Sequence, residues 1–241
     1  MGAVEIRYSL AVVTGAADGL GRELAVALAR RGAAVLVADR DPAGAEQTVR
    51  LVREHRVGGW ACCGDVTVEA DLRALAARAR DLGGADVLVN NAGGWTPGEQ
   101  YPAAPYDAWS RTLDLNLRAP MLLTQLFLAG LDDRRGPARP AAVVNVASSA
   151  ALGAEGYGSP EYAAAKAGLV RFTTSLGDPA TAARARVMAV VPGWIGLPRA
   201  HEQVEALPAA ERPVLVPPEA VTRAVVDLVA HGWAGEVVEL T

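Results

Sequence analysis

Short apolar runs of strand type alternate with helical patterns along the whole chain, and this alternation most restricts the possible folds. The first run is Leu10–Thr14 (L-A-V-V-T), and apolar residues at helical spacing follow it over 20–30. Strands that are apolar throughout are covered on both faces, which is typical of a parallel sheet between two layers of helices. We therefore predict an α/β fold with a doubly wound parallel sheet. The predicted strands are 10–14, 34–39, 60–63, 87–90, 142–146, 187–191 and 237–240.

Helical patterns fill most of the connections between these strands. Asp41 and Pro42 suit the N-cap and the first position of a helix. The segment 132–140 is rich in Arg, Pro and Gly and is predicted to be a solvated loop. No repeat, low-complexity segment or linker interrupts the pattern, so we expect a single domain over 1–241. The other predicted helices are 20–30, 68–82, 106–131, 161–175 and 218–229.

Charge and composition exclude several classes of function. The formal net charge is -4 over 241 residues, and no basic run is present, which argues against a nucleic-acid binder. No apolar stretch reaches the roughly 18 residues of a membrane helix, and the N-terminus lacks a secretory signal pattern. The adjacent Cys62 and Cys63 cannot form a zinc site. We expect a cytoplasmic protein with reduced core cysteines, no metal and no membrane partner.

A glycine-rich turn follows the first strand, with the sequence T-G-A-A-D-G-L-G over 14–21. Glycines at such a turn let the backbone approach a pyrophosphate, which lies on the positive end of the following helix. A purely structural turn is the alternative, but the position between a strand and a helix is the one that dinucleotide binding requires. The predicted binding residues here are Gly15, Asp18, Gly19, Leu20 and Gly21.

Asp39 ends the second strand, where a carboxylate can accept hydrogen bonds from the adenosine ribose hydroxyls. It would repel a 2′-phosphate, so the sequence favours NAD over NADP. Asp18 points the same way. The neighbouring Arg40 is the complication, because its guanidinium could grip a 2′-phosphate.

Polar and small residues also follow the third and fourth strands. Asp65 and Val66 could bind the adenine edge, and the small residues after Asn90 would let a cofactor lie close. Asn116 lies within a predicted helix, where a polar residue on an apolar face indicates a buried hydrogen-bonding role. A solvent-facing Asn116 is the alternative. The residues predicted to bind cofactor here are Asp65, Val66, Asn91, Ala92 and Gly93.

Tyr162 and Lys166 are four residues apart in an alanine-rich helical segment, so their side chains share one face. A cation beside a phenol favours the phenolate and lowers the phenol pKa. Ser149, at the end of the fifth strand, could hold a substrate oxygen. Such a pair also occurs by chance, as a surface lysine packed over a tyrosine, so the pattern carries weight only in context.

Together these motifs resemble the short-chain dehydrogenase/reductase family over nearly the whole chain, from about 9 to 240. The matching pieces are the glycine turn, Asp65-Val66, N-N-A-G over 90–93, Asn116, the set Ser149, Tyr162 and Lys166, and Pro192-Gly193. The thirteen-residue gap to Tyr162 selects Ser149 rather than Ser148.

The resemblance implies a Rossmann-type fold and hydride transfer between NAD(P) and a secondary alcohol or ketone. It makes Tyr162 the general acid-base and Ser149 the residue that positions the substrate oxygen. Lys166 would tune Tyr162 and bind the nicotinamide ribose, and Asn116 would hold a water linking Lys166 to solvent. Tyr162 and Lys166 thus count among the cofactor-binding residues too, with Pro192, Gly193 and Ile195 on the nicotinamide side. It also implies a homodimer or homotetramer joined through the helices that carry Asn116 and Tyr162.

The chain departs from the family pattern at three places. Met188 stands where an asparagine is usual, and Leu197 stands where a threonine often contacts the carboxamide. Nicotinamide binding would then depend more on the backbone at Ile195. The chain also lacks the usual Asp-Gly-Gly near its end.

The segment 197–217 is the expected substrate lid, and we call it the lid segment. The aromatic residues Trp95, Tyr157 and Trp194 lie near the expected pocket and indicate an apolar or flat substrate. They could instead pack loops or a subunit interface. Two other functions remain open: a non-catalytic dinucleotide sensor, and a sugar-nucleotide epimerase or dehydratase, for whose larger substrate domain this chain has no room.

Overall fold

The computed structural model describes residues 4–131, 140–153, 157–209 and 212–240. Within them the chain forms a seven-stranded sheet in which every neighbouring pair of strands is parallel. This confirms the predicted doubly wound α/β fold. The strands are β1 Leu10–Thr14, β2 Ala34–Asp39, β3 Gly59–Cys63, β4 Val87–Asn90, β5 Ala142–Val146, β6 Arg186–Pro192 and β7 Val237–Leu240.

The strand order is β3-β2-β1-β4-β5-β6-β7, so the chain reverses its direction across the sheet after β3. β1 therefore pairs with β2 on one side and with β4 on the other, with Val13 opposite both Val37 and Val89. The connections leaving β1 and β4 diverge at this point and open a crevice beyond the carboxyl ends of the strands. The glycine turn and the residues after β4 lie on either side of it.

The helices cover both faces of the sheet. The N-cap prediction at Asp41 holds, because its side chain accepts a hydrogen bond from Ala43 N at 3.0 Å. The predicted helix over 106–131 is interrupted by a π turn at Asp114–Arg118. The helices are α1 Gly19–Arg30, α2 Pro42–Arg53, α3 Glu69–Asp81, α4 Tyr106–Leu113, α5 Ala119–Gly130, α6 Pro160–Ser175, α7 Pro179–Ala182, α8 Pro198–Glu205 and α9 Pro218–His231.

Two helices were not predicted, and one predicted loop lies almost wholly outside the described residues. The short helices α7 and α8 were not predicted, and α8 begins the lid segment. The predicted loop over 132–140 lies outside the described residues except for its last position. No helix in the described ranges is long and apolar enough to cross a bilayer. The same ranges contain no group of three or more His, Cys, Asp and Glu side chains that could hold a metal ion.

Apolar side chains fill the space between the sheet and each helix layer. On one face α1 and α9 pack against buried valines such as Val13, and on the other α3 and α5 pack against Leu88 and its neighbours. Met188 is fully buried in the first of these layers, so the residue that departs from the family pattern is an apolar core residue here. The cysteines are not both core residues: Cys62 is half-buried and Cys63 is exposed, because β3 is the edge strand.

A chain of buried hydrogen bonds crosses the sheet just below the site. Asn90 Nδ2 donates to Thr124 Oγ1 at 3.1 Å and to Asn145 Oδ1 at 2.8 Å. Asn145 Nδ2 in turn donates to Thr173 Oγ1 at 2.9 Å. Thr124 lies on α5 and Thr173 on α6. The network therefore fixes both helices to β4 and β5.

Candidate active site

A cleft of about 710 Å³ lies beyond the carboxyl ends of β1, β2 and β4. It gathers residues that are far apart in sequence and that were predicted separately as cofactor ligands. Three predicted residues, Gly19, Leu20 and Gly21, do not line it; Leu20 and Gly21 are buried in the first turn of α1. The predicted residues that line the cleft are Gly15, Asp18, Asp39, Arg40, Asp65, Val66, Asn91, Ala92 and Gly93.

The glycine turn is packed so closely that side chains would not fit. Gly15 has a φ of 63°, and a Cβ there would lie 2.8 Å from Ala92 Cα. A Cβ on Gly21 would overlap the carbonyl oxygen of Gly15. Asn91 Nδ2 ties the turn to β4 by donating to Thr14 O at 2.8 Å and to Gly15 O at 3.1 Å. These glycines allow a backbone approach that any other residue would block.

The first turn of α1 begins without a side-chain cap at Asp18. The N–H groups at the start of a helix have no partners within the helix, and they need a side chain, water or an anion. Asp18, directly before this turn, lines the cleft. This arrangement suits a phosphate group.

The carboxylate of Asp39 is held at the edge of the cleft by two backbone groups. Its Oδ2 accepts a hydrogen bond from Ala17 N at 2.9 Å, and its Oδ1 accepts one from Asp41 N at 3.0 Å. The adjacent Arg40 is exposed. The negative charge at this position is therefore fixed in place, whereas the neighbouring positive charge lies on an exposed side chain.

Asp65 lies at the other end of the same cleft. The backbone N–H of Thr67 hydrogen-bonds to its carboxylate and is the largest cause of a lowered pKa. Burial opposes this effect and is the second-largest cause, while the Thr67 hydroxyl and the nearby Arg40 and Arg111 lower the pKa of Asp65 further. This end of the cleft therefore combines an ionised carboxylate with two guanidinium groups.

Asn116 lies in the π turn and is fully buried, which excludes the solvent-facing alternative. Its Oδ1 accepts a hydrogen bond from Gly94 N at 2.9 Å. Its Nδ2 donates to Gly94 O at 3.1 Å and to Thr112 O at 3.0 Å. A Cβ on Gly93 would lie 2.8 Å from Asn116 Oδ1 and 3.1 Å from Lys166 Nζ. The segment after β4, the π turn and α6 therefore meet at one point, and π turns are frequent at functional sites.

Lys166 is buried on the face of α6 that packs against the sheet. Its Nζ donates a hydrogen bond to the carbonyl oxygen of Val146 at 2.8 Å and lies 5.8 Å from the centroid of the Tyr162 ring. Burial lowers the pKa of Lys166 to about 8. The ammonium is therefore fixed in position beside the tyrosine ring.

The pKa of Tyr162 is shifted in the opposite direction to the expectation. Burial raises it to about 12, and the nearby Tyr157 adds to the rise. A hydrogen bond with the Ser148 side chain lowers the pKa, but by less than burial raises it. Lys166 Nζ donates to Val146 O and not to the phenol, so the lowering expected from this cation does not offset the effect of burial. The neutral phenol is consequently the stable form of Tyr162 in this structure.

The two adjacent serines are placed differently. Ser149 begins a short 3₁₀ turn over Ser149–Ala151 and is half-buried. Ser148 accepts a hydrogen bond from Ala150 N at 3.2 Å and also bonds to Tyr162. The spacing in the sequence selects Ser149 and does not predict the contact made by Ser148. Only the serine pair itself, preceding the tyrosine, could have drawn attention to it.

The nicotinamide-side residues follow β6. Gly193, directly after Pro192, donates to Leu240 O at 2.7 Å, which ties the end of β6 to β7. Ile195 forms a bridge with Val216 that uses Gly196 N and Trp194 O, so the Ile195 N–H lies outside the bridge. Leu197 lies over the glycine turn, because a Cβ on Gly19 would be 3.6 Å from Leu197 Cδ1.

Three aromatic side chains remain partly exposed after the ends of β4, β5 and β6. Trp95 and Trp194 are each 38% exposed, and Tyr157 is 41% exposed. The Tyr157 ring lies 6.3 Å from the Tyr162 ring, measured between centroids. Tyr157 therefore belongs to the immediate surroundings of the phenol.

The residues present fit a nicotinamide dinucleotide. The tightly packed glycines leave a backbone cradle, the uncapped start of α1 offers N–H groups, and Asp39 is fixed at the far edge. The cleft that these groups line extends to Gly93, whose Cα lies beside Lys166 and Asn116. A long ligand with a phosphate near its middle matches this cleft, which runs from Asp39 past the glycine turn to Gly93.

Comparison with known proteins agrees with this geometry. A cis-4-hydroxycyclohexanecarboxylate dehydrogenase of Sinomonas cyclohexanicum is 38% identical over 91% of this chain and 88% of its own. Among solved structures, a 7α-hydroxysteroid dehydrogenase with NADH and 7-oxo glycochenodeoxycholic acid superposes with a TM-score of 0.82 at 26% identity, covering 98% of this chain and 94% of that one. An actinorhodin polyketide ketoreductase variant with NADPH gives a TM-score of 0.82 at 29% identity, covering 96% and 95%.

The family model described as short chain dehydrogenase matches residues 9–207, which is most of the chain. This match confirms the family and the oxidoreductase activity that the motifs predicted. The structures with NADH and with NADPH agree with an NAD(P) cofactor and leave both forms open. The chain belongs to the short-chain dehydrogenase/reductase family, the NAD(P)-dependent oxidoreductases of alcohols and ketones.

Proposed function

We propose that this protein interconverts secondary alcohols and ketones with NAD(H) as its preferred cofactor, and that Tyr162 is the acid-base. The observation that carries the proposal is that Lys166 and Asn116 meet beside Gly93, at one end of the dinucleotide cleft, with the centroid of the Tyr162 ring 5.8 Å from Lys166 Nζ. A phenol, a fixed cation and a buried amide are the groups that a proton transfer coupled to hydride transfer requires.

In the direction of reduction, bound NAD(P)H supplies the hydride to the carbonyl carbon. Tyr162 donates its hydroxyl proton to the carbonyl oxygen, and its pKa of about 12 keeps that proton available at neutral pH. The resulting phenolate is stabilised by the positive charge of Lys166, which the Val146 carbonyl holds in position. In the oxidation of an alcohol the same proton moves back to Tyr162.

Ser149 is proposed to hold the substrate oxygen, and Asn116 to order a water that connects Lys166 with solvent. Ser148 is proposed to assist Tyr162, because its hydrogen bond favours the phenolate. With a pKa of about 12, Tyr162 is almost fully protonated at neutral pH and has little phenolate to accept a proton. Alcohol oxidation requires that phenolate, so the hydrogen bond from Ser148 matters most in this direction.

The proposed preference for NAD depends on Asp39. Two backbone hydrogen bonds hold its carboxylate where the adenosine ribose is expected. A 2′-phosphate at that position would meet a fixed negative charge. Arg40 does not reverse the preference in this proposal, because its exposed side chain would have to leave solvent to bind a phosphate.

We assign the nicotinamide to the segment after β6. The Ile195 N–H lies outside the bridge with Val216 and can donate to the carboxamide. This backbone group takes the place of the hydroxyl that Leu197 lacks. Pro192 and Gly193 would form the floor beneath the ring, at the tied end of β6 and β7.

A ring-bearing, mainly apolar substrate fits the surroundings of Tyr162. Trp95, Tyr157 and Trp194 each keep part of their surface exposed at this end of the sheet. Aromatic faces bind apolar rings well because they bury much area at a low entropic cost. Two proteins similar to this chain are named for a cyclohexane derivative and for a steroid.

We also propose that α5 and α6 form a subunit interface in a homodimer or homotetramer. A broad groove of about 760 Å³ runs between them, and it is mainly lined by apolar side chains that include Met121, Leu122 and Phe172. Met121, which lines this groove, is 40% exposed, so the groove presents apolar surface to solvent. Light scattering at several protein concentrations tests this assembly.

The experiment that tests the function is a screen of cyclic and acyclic secondary alcohols and ketones with each cofactor, which follows the absorbance of the reduced nicotinamide. We expect turnover with NAD(H) and a higher kcat/KM for cyclic than for acyclic substrates. Binding of NADH without turnover on any compound would support a dinucleotide sensor instead. Equal kcat/KM with NADP(H) would overturn the cofactor assignment.

A further inference from the structure

Arg199 is a cleft residue that neither the motifs nor the comparisons assign. It lies in the first turn of α8, at the start of the lid segment, and its side chain lines the dinucleotide cleft. It is exposed. Side-chain ion pairs in the described part of the chain are Glu69–Arg73 and Asp114–Arg118, and Arg199 belongs to neither.

The position of Arg199 along the cleft follows from its neighbours. Leu197, two residues earlier, lies over Gly19 at the start of α1, where the backbone N–H groups are uncapped. Arg40 and Arg111 instead contribute to the low pKa of Asp65, and Arg199 does not. The guanidinium groups of the cleft therefore separate into a pair at the Asp65 end and Arg199 near the glycine turn.

The charges that line the cleft indicate a role for Arg199. Four carboxylates line the cleft, from Asp18, Asp39, Asp41 and Asp65, against the guanidinium groups of Arg40, Arg111 and Arg199. A pyrophosphate adds further negative charge near Asp18, which lies in the glycine turn itself. The start of α1 supplies only partial positive charge. A full cation from another element would offset the charge of the pyrophosphate.

We propose that Arg199 binds the pyrophosphate of the dinucleotide and thereby attaches α8 to it. A planar guanidinium can donate two hydrogen bonds to phosphate oxygens, which makes arginine well suited to this contact. A threonine at position 197 would attach this segment to the cofactor through its hydroxyl. Leu197 cannot do so, and Arg199 would provide an attachment two residues later. This inference depends on the proposed function, since it requires a dinucleotide in the cleft.

Hydrogen bonds anchor the segment that carries Arg199 on both sides of α8. A contact from Arg199 to the cofactor would add a third point of attachment. Before α8, Gly196 N donates to Val216 O at 2.9 Å, and Val216 N donates to Trp194 O at 2.7 Å. The residues between these two anchors include α8 and the rest of the lid segment. A contact from Arg199 to the pyrophosphate would therefore hold the loop near Trp194, beside the proposed substrate pocket.

The test compares Arg199→Met, Arg199→Lys and the wild type in fluorescence titrations with NADH. We expect about tenfold weaker binding for the methionine variant and a smaller loss for the lysine variant, which keeps the charge without the paired donors. KM for NAD should rise while kcat changes little, because the contact acts on binding. Arg223→Met is the matched control: Arg223 is exposed on α9 and lines a different cleft.

Calorimetry with ADP-ribose and with adenosine locates the contact. Arg199→Met should weaken the binding of ADP-ribose and leave adenosine binding unchanged, since adenosine has no phosphate. Unchanged NADH affinity in Arg199→Met, or an equal loss for adenosine, would overturn the inference alone. A wild-type protein that binds no NADH overturns the proposed function and this inference with it.

Discussion

Lys166 donates a hydrogen bond from its buried Nζ to the carbonyl oxygen of Val146 at 2.8 Å, and that bond fixes a cation against the end of β5. The fixed position has an electrostatic cost, since burial lowers the pKa of Lys166 from 10.5 to about 8. At neutral pH the folded protein therefore holds a charge that water would solvate better. The free energy of unfolding should therefore depend on the protonation of Lys166.

The first prediction is a pH dependence of stability that Lys166→Met removes. Between about pH 8 and 10.5 the unfolded chain keeps the Lys166 proton while the folded chain loses it. The unfolded state then binds more protons, so the free energy of unfolding of the wild type rises with pH relative to the variant. The rise is at most about 3–4 kcal/mol. Urea unfolding of both proteins at several pH values measures it, and a constant difference would contradict the assigned pKa.

Replacement of Tyr162 by Phe separates proton transfer from cofactor binding. The substitution removes one hydroxyl from a buried ring and leaves the ring contacts in place. We expect kcat to fall by a factor of about 10³ or more, since general acid-base catalysis contributes on that scale. NADH affinity should stay within about threefold, because ribose binding depends chiefly on Lys166 and the backbone. Turnover that survives the change would point to another acid.

Much of the fold and of the cleft could be predicted from local patterns. Apolar runs and helical spacing define the sheet, and strand ends in a parallel sheet gather on one edge. Gly15, Asp39 and Asn91 could therefore be placed together from the sequence alone. These assignments need only the order of the elements. The side-chain geometry around Tyr162 needs more.

The sign of the Tyr162 pKa shift and the partner of its hydroxyl could not be predicted. Both depend on how deeply α6 packs and on the backbone course at Ser148, which are tertiary properties. The π turn at Asn116 was hidden for a similar reason, because it differs from an α-helix by one residue of hydrogen-bond spacing. The lid helix α8 was missed because it has no apolar face long enough to form a pattern.

The two serines should respond differently to alanine. Ser149→Ala removes the proposed support of the substrate oxygen, and we expect kcat/KM to fall by about a hundredfold. Ser148→Ala removes a hydrogen bond that lowers the pKa of Tyr162, so that pKa should rise. The pH at which alcohol oxidation becomes fast should then move upward. Full pH–rate profiles of kcat/KM distinguish the two variants. A larger loss of kcat/KM in Ser148→Ala than in Ser149→Ala at every pH would show that Ser148, and not Ser149, supports the substrate oxygen.

Asp39→Ala should narrow the preference for NAD over NADP. Like charges brought together cost several kcal/mol, so removal of the carboxylate should narrow the affinity ratio by about tenfold or more. Asp41→Ala is the control, because Asp41 lines the same cleft but caps α2 instead. It should keep the preference and lose about 1 kcal/mol of stability. Direct titrations with both cofactors measure the ratio, and a wild type without a preference would refute the assignment.

We expect the buried bond between Asn145 and Thr173 to set the rotation of α6, and with it the positions of Tyr162 and Lys166. Tyr162, Lys166 and Thr173 all lie on the buried side of this helix. Asn145→Leu, which is close in size, removes the bonds to both Asn90 and Thr173 and should cost about 2–3 kcal/mol of stability. Thr173→Val removes only one of them and should cost about 1 kcal/mol.

Catalysis adds a readout that stability alone does not give. If the bond orients α6, Asn145→Leu should lower kcat at a temperature where the variant is fully folded, because small displacements of reacting groups have large effects on rate. Adenosine binding should change little, since that end of the cleft depends chiefly on β1, β2 and β4 and not on α6. A less stable variant with an unaltered kcat would show that the network only holds the helix to the sheet.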